Sequence, residues 1–158
     1  MGTEQRVHNR RVDGDLDTND ARIRRAIQAH FAAIGRDEGE AAEIYADDAV
    51  LEYVQSEEHI RGRANIIASR QAYPGRSSTF TIERLHGSRD AWTAEITLRF
   101  DGADPHPFVA VLELRDGRVI REAIYIAEPW DPPAYRAPFA EVAPLAKPWD
   151  ATPNGDDP

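Results

Sequence analysis

Tyr53, Glu95 and His30 carry the side chains with which this chain could move a proton or steady a developing negative charge, and Gln55 lies two residues beyond the first of them. A tyrosine hydroxyl aimed at an oxyanion stabilises charge where a reaction creates it. A carboxylate desolvated in an apolar cup has a raised pKa and can act as general acid or base. Histidine titrates near neutrality, so His30 could serve as acid, base or hydrogen-bond donor. Phe31, Tyr125 and Trp130 are further candidates for substrate contact. Each has a plainer alternative. His30 falls on the apolar stripe of a helix, where a histidine commonly bonds a backbone carbonyl. Glu95 lies among threonines opposite Trp92, on what could be the wet outer face of a sheet or a subunit interface. Arg70 could clamp an anion, but one arginine on an amphipathic helix is usually solvated or ion-paired.

The familiar sequence signatures are missing. No glycine-rich phosphate loop, HExxH pair, GxSxG elbow or acidic cation loop occurs. The histidines at positions 8, 30, 59, 86 and 106 lack metal-ligand spacing, and no metal or cofactor is expected. There is no cysteine, which removes disulfides, zinc-thiolate sites and a cysteine nucleophile and fits a reducing compartment. A net charge of −9 disfavours nucleic acid and anionic membrane as partners. Nothing resembles a signal peptide or a membrane span, so a soluble cytoplasmic protein is expected.

The candidates must be positioned by the elements around them. Residues 1–18 are polar and aperiodic and read as a flexible arm. Thr18, Asn19 and Asp20 offer helix caps before a stripe of Ile23, Ile27, Phe31 and Ile34, and Gly35 offers a stop. Glu38 to Ala46 reads as a short helix ended by Asp47-Asp48. If Ala49 to Gln55 is extended, Ala49, Leu51, Tyr53 and Gln55 share one face, apolar surface mixed with hydrogen-bonding groups as in a ligand pocket. Arg63 to Ala72 reads as a third helix with Ala64, Ile67, Ala68 and Gln71 on its packed face, stopped by Tyr73-Pro74-Gly75. Alternation then sets in. Trp92, Ala94, Ile96, Leu98 and Phe100 form one apolar face, Phe108 to Leu114 reads as a central strand, and Arg115-Asp116-Gly117 turns the chain into a last strand on which Val119, Arg121, Ala123 and Tyr125 share a side. Helices followed by long antiparallel strands make an α+β fold. Eight of the eleven prolines lie in the last thirty residues. Residues 129–140, with Trp130, Tyr135 and Phe139, are expected to pack on the domain, and those after about 150 to be mobile.

Taken together, Tyr45-Ala46-Asp47-Asp48-Ala49-Val50-Leu51-Glu52, Ile60-Arg61-Gly62-Arg63, Tyr73-Pro74-Gly75-Arg76, Gly117-Arg118-Val119-Ile120-Arg121-Glu122 and Glu128-Pro129-Trp130 resemble the nuclear transport factor 2-like superfamily, and within it SnoaL-like proteins. The resemblance spans roughly residues 20–136. It implies a cone-shaped barrel of three N-terminal helices on a strongly curved, mostly antiparallel mixed sheet enclosing a cavity, with homodimers formed through the sheet. It implies no single function, since relatives include polyketide cyclases, ketosteroid isomerases, limonene-epoxide hydrolases and non-catalytic adaptors. The isomerases' base position corresponds to Tyr53 and their acidic donor to the neighbourhood of Ala110. The cyclases' aspartate corresponds to Ile124 and their histidine again to Ala110. The epoxide hydrolases' Tyr-x-Asn element resembles Tyr53-Val54-Gln55 and Glu95 falls near one of their carboxylates, but their arginine becomes Thr93 and their second acid Ile124.

The expectation is a flexible arm at 1–18, a cavity domain at 19–136 and a proline-rich tail at 137–158. The function expected is acid-base or water-assisted chemistry, in the lyase, isomerase or hydrolase range, on a small apolar or aromatic molecule. Tyr53, Glu95 and His30 would be catalytic, and Gln55, Tyr125, Trp130 and Phe31 would line the substrate. The alternative is a non-catalytic ligand-binding or dimeric interaction domain that has lost the family's acids.

Overall fold

The computed structural model describes residues 4–75, 78–101 and 104–142, with side chains from Thr18 onward. Helix α1 runs Glu4–Ala33, α2 is the single turn Glu38–Ala41, and a 3-10 turn at Ala42–Ile44 leads into strand β1, Tyr45–Tyr53. Strand β2, Glu58–Arg61, and helix α3, Arg63–Gln71, follow; the long strands β3 to β6 are Ser78–Ser88, Ala91–Phe100, His106–Arg115 and Arg118–Ile126. A 3-10 segment at Ala134–Phe139 closes the described chain. The six strands form one curved, open sheet in the order β2-β1-β6-β5-β4-β3, antiparallel throughout except that β1 runs parallel to β6. This is the α+β cone expected from the sequence. No helix among the described residues is long and apolar enough to cross a membrane.

The helical stripe does what its spacing implies. Ile23, Ile27, Phe31 and Ile34 are buried, as are His30 and Ala33 between them. Helix α1 is fastened to the sheet by Arg24, which donates to the Leu85 carbonyl at 2.8 Å and lies over the Trp92 ring. Gly35 takes a positive φ of 81° just past the helix end, where a side chain would be strained. Asp37 caps α2 by accepting from the Glu40 amide at 2.9 Å. The other end of α1 differs from the sequence reading: Thr18 to Asp20 do not begin the helix, which extends back to Glu4.

The sheet alternates as its sequence alternates. Trp92, Ala94, Ile96 and Leu98 of β4 face the core with Phe108, Ala110, Leu112 and Leu114 of β5. Asp116 and Gly117, with φ of 53° and 75°, make the expected tight turn between β5 and β6. Strand β6 breaks the rule. Glu113 opposes Arg121 and Leu114 opposes Val119, so Ile120 is an extra residue, a β-bulge. Beyond it the inward residues are Glu122 and Ile124, with Arg121 and Tyr125 outside, which reverses the assignment made for this strand from uniform alternation. Strand β1 is irregular at the same level, between Tyr45 and Val50, and begins earlier than expected because Tyr45 and Ala46 are already extended.

Helix α3 is also turned from its expected phase. Ile66 is fully buried and Arg70, one turn on, points inward, while Ala64, Ala68 and Gln71 are exposed. The adjacent pair Ile66-Ile67 lets the periodicity be phased either way, and packing on β1 selects Ile66. The segment from residue 129 does not pack as expected: Trp130, Tyr135 and Phe139 are 76%, 74% and 90% exposed. With three prolines between Pro129 and Pro133 and no strand partner, the backbone leaves the sheet rather than returning over it. Residues 143–158, which hold Trp149 and the stretch expected to be mobile, lie outside the described residues.

Candidate active site

Four side chains from four elements meet under the sheet. The Tyr45 hydroxyl, at the start of β1, donates to Glu122 Oε2 on β6. Arg70 Nη2 on α3 donates to the same hydroxyl at 2.8 Å and lies 3.7 Å from Glu122 Oε2. His30 on α1 brings Nε2 to 3.7 Å from Glu122 Oε2, while its Nδ1–H donates to the Ala41 carbonyl at 2.6 Å. The imidazole is wedged edge-on against Phe31 and Tyr45, with ring centroids at 4.7 and 5.4 Å. All four groups are buried, Glu122 completely.

Burial alone would force the Glu122 carboxyl to keep its proton. The neighbouring His30, the Arg70 guanidinium and the bond from the Tyr45 hydroxyl more than offset that, and its pKa falls below the ordinary glutamate value. The carboxylate is therefore ionised in an apolar interior. Tyr45 is pushed the other way, above the usual tyrosine range, mainly by burial and then by Glu122, with Arg70 opposing; it remains a neutral donor. For Arg70, burial works against the charge, but Tyr45 and Glu122 outweigh it and the guanidinium stays charged. Three polar atoms of the cluster have no hydrogen-bond partner among the described residues: Glu122 Oε1, Arg70 Nη1 and His30 Nε2. Buried groups of this kind are normally satisfied.

Glu122 and Arg70 line a cavity of about 590 Å³, within the range of small-molecule sites. Tyr53 and Ser69 add hydroxyls to its wall. Phe80, Phe100, Phe108 and Tyr73 supply an aromatic wall, Phe80 standing edge-on to Phe108 with ring centroids at 5.6 Å. The cavity thus joins a charged, hydrogen-bonding end to an apolar body.

The family model for the SnoaL-like domain matches residues 24–122, from α1 to the buried glutamate itself. This chain belongs to the SnoaL-like family. Similar solved structures include an NTF-2 like protein of unknown function from Burkholderia xenovorans LB400, at 32% identity over 79% of this chain and 98% of that one, with a TM-score of 0.70. A candidate ketosteroid isomerase from Kribbella flavida DSM 17836 matches at 28% identity over 84% and 94%, TM-score 0.71. An LEH-like epoxide hydrolase from M. tuberculosis matches at 25% identity over 65% and 80%, TM-score 0.56. A comparison with curated proteins finds no match.

Within this SnoaL-like domain the residues singled out from sequence are dispersed. Tyr53 lines the cavity, and burial raises its pKa, so its hydroxyl remains a donor. His30 is in the cluster, and it also makes the backbone bond that its place on the stripe suggested. Phe31 lies one layer behind the cavity wall, packed on Phe80 and Phe108. The expectation that Glu95 belongs to the cup is not met, because strand alternation places it on the outer face, half-exposed and 3.9 Å from Arg84. Gln55 lies past the end of β1 in the exposed turn, its amide bonded to the Ile126 carbonyl, and Tyr125 and Trp130 are exposed outside the cavity. Tyr45 and Glu122 were the residues missed, and Arg70, weighed as an anion clamp, was set aside as solvated or ion-paired. A lone glutamate in the otherwise apolar run around Ala123-Ile124 was the available signal; its orientation depended on a bulge. Glu122 lies two residues before Ile124 on the same face of β6, and the two line the cavity together.

Proposed function

We propose that this SnoaL-like protein is a cofactor-independent enzyme that removes a proton from a small, largely apolar substrate, or from a water beside it, with Glu122 as the base. The observation that carries this reading is a buried, ionised carboxylate with one unpartnered oxygen on the wall of a cavity of ligand size. A base with its second oxygen fixed by Tyr45 is held in one orientation and need not reorganise during transfer. Arg70 and the Tyr53 hydroxyl are placed to stabilise the enolate or alkoxide that proton removal leaves. The likeness to a candidate ketosteroid isomerase and to an epoxide hydrolase supports chemistry of this range.

The test is deuterium incorporation into 2-tetralone in heavy water, which needs only abstraction of an α-proton and return of a deuteron. Incorporation well above the buffer rate, reduced at least ~100-fold by Glu122→Gln, is expected. Exchange at the buffer rate by a folded protein that still binds the ketone would replace this reading with that of a ligand-binding domain. A homodimer through the outer sheet face, where Val109 and Val111 of β5 are only partly buried, accompanies the proposal. A monomer at micromolar concentration in sedimentation would remove that part.

A further inference from the structure

The two unpartnered atoms at the polar end of the cavity differ in kind. Among the described residues, Arg70 Nη1 is a donor without an acceptor and Glu122 Oε1 is an ionised acceptor without a donor. Their sister atoms are engaged, Nη2 with the Tyr45 hydroxyl and Oε2 with the Tyr45 proton. Nη2 and Oε2 lie 3.7 Å apart, and both residues line the cavity. An unsatisfied buried polar atom is costly, and the cost is recovered by a ligand that supplies the complement.

From this complementarity we infer the class of ligand the cavity takes: a flat aromatic or polycyclic body whose head group is uncharged and carries a hydrogen-bond acceptor beside an N–H or O–H donor. Primary carboxamides, lactams and hydroxy-ketones meet the requirement. The acceptor takes the Arg70 Nη1 proton, the donor gives to Glu122 Oε1, and the rings lie against Phe80, Phe100, Phe108 and Tyr73. A simple ketone or ester satisfies Arg70 and leaves the Glu122 oxygen orphaned. A carboxylate would also satisfy Arg70, but at the expense of placing a second negative charge beside Glu122 in a desolvated site. This inference rests on the cavity being the small-molecule site, and it concerns recognition rather than the proton-transfer step.

The test uses three naphthalenes of matched shape, measured by calorimetry on the full chain: 2-naphthamide, 2-acetylnaphthalene and 2-naphthoate. The amide should bind about tenfold or more tightly than the ketone, which differs only by a methyl in place of the amino group, and more tightly than the carboxylate. Glu122→Gln, which keeps the side-chain shape, should bring the amide close to the ketone. Arg70→Lys should weaken amide and ketone alike. Equal affinity for amide and ketone, tightest binding of the carboxylate, or no binding of any of the three would each overturn the inference. Because 2-tetralone lacks the donor, its deuteration reports on the base independently. Exchange without amide preference defeats the recognition rule alone, and amide preference without exchange defeats the catalytic reading alone.

Discussion

Arg70 and Glu122 are held 3.7 Å apart at the bottom of the cavity with the Tyr45 hydroxyl between them, accepting from one and donating to the other. A neutral phenol bridging two buried opposite charges lets each keep one polar atom free while neither stands alone. Removing one charge leaves the other uncompensated in an apolar interior. Glu122→Ala is therefore expected to cost about 3–5 kcal/mol in urea denaturation, whereas Glu122→Gln should cost distinctly less. A loss under about 1 kcal/mol for the alanine variant would mean that water screens the cluster.

Glu122 and Tyr45 set the pH range of stability. The folded pKa of Glu122 lies below its unfolded value, about 4.3. Its contribution is fully present above that value and is lost as pH falls through the folded pKa. The folded pKa of Tyr45 lies above its unfolded value, about 10, so its contribution is present below pH 10 and is lost as pH rises beyond it. Melting temperature followed against pH should decline on both sides. Glu122→Gln should flatten the acid limb and Tyr45→Phe the alkaline one, and unchanged limbs would separate these residues from the titration.

Tyr53 faces the cavity, where its hydroxyl is available to a ligand. Tyr53→Phe should leave stability within about 0.5 kcal/mol and lower the deuteration rate of 2-tetralone. Full exchange in this variant would take Tyr53 out of the mechanism.

Glu95 provides the contrasting case. Half-exposed and only loosely paired with Arg84, it should be replaceable by Gln with less than about 0.5 kcal/mol change in stability and no change in deuteration. A loss of exchange would show that the outer face of β4 communicates with the cavity.

Much of the cone was legible in the residues themselves. The stripe on α1, the alternation of β4 and the Asp116-Gly117 turn each carry their own period or backbone requirement, and each was found where those requirements placed it. The site was less legible because its members depend on departures from period. Arg70 points inward only because α3 is phased on Ile66 rather than on Ala64 and Ala68. Glu122 points inward only because Ile120 adds a residue to β6. Tyr45 was assigned to the end of a helix, where its hydroxyl had no reason to meet residue 122. Tyr53 was found because the face of β1 that carries it keeps its alternation from Ala49 onward.

The bulge at Ile120 also separates two functions of one strand. Beyond it, pairing of Ala110 with Ile124 and of Phe108 with Ile126 fixes which way Glu122 points; before it, the hairpin turn fixes only Val119 and Arg118. Slack introduced near Asp116-Gly117 can be taken up at this joint before it reaches the carboxylate. The hairpin itself is held elsewhere, Arg115 by Asp48 and Arg118 by the Glu43 carbonyl, so a change in its turn is expected to disturb those contacts before the aim of the base.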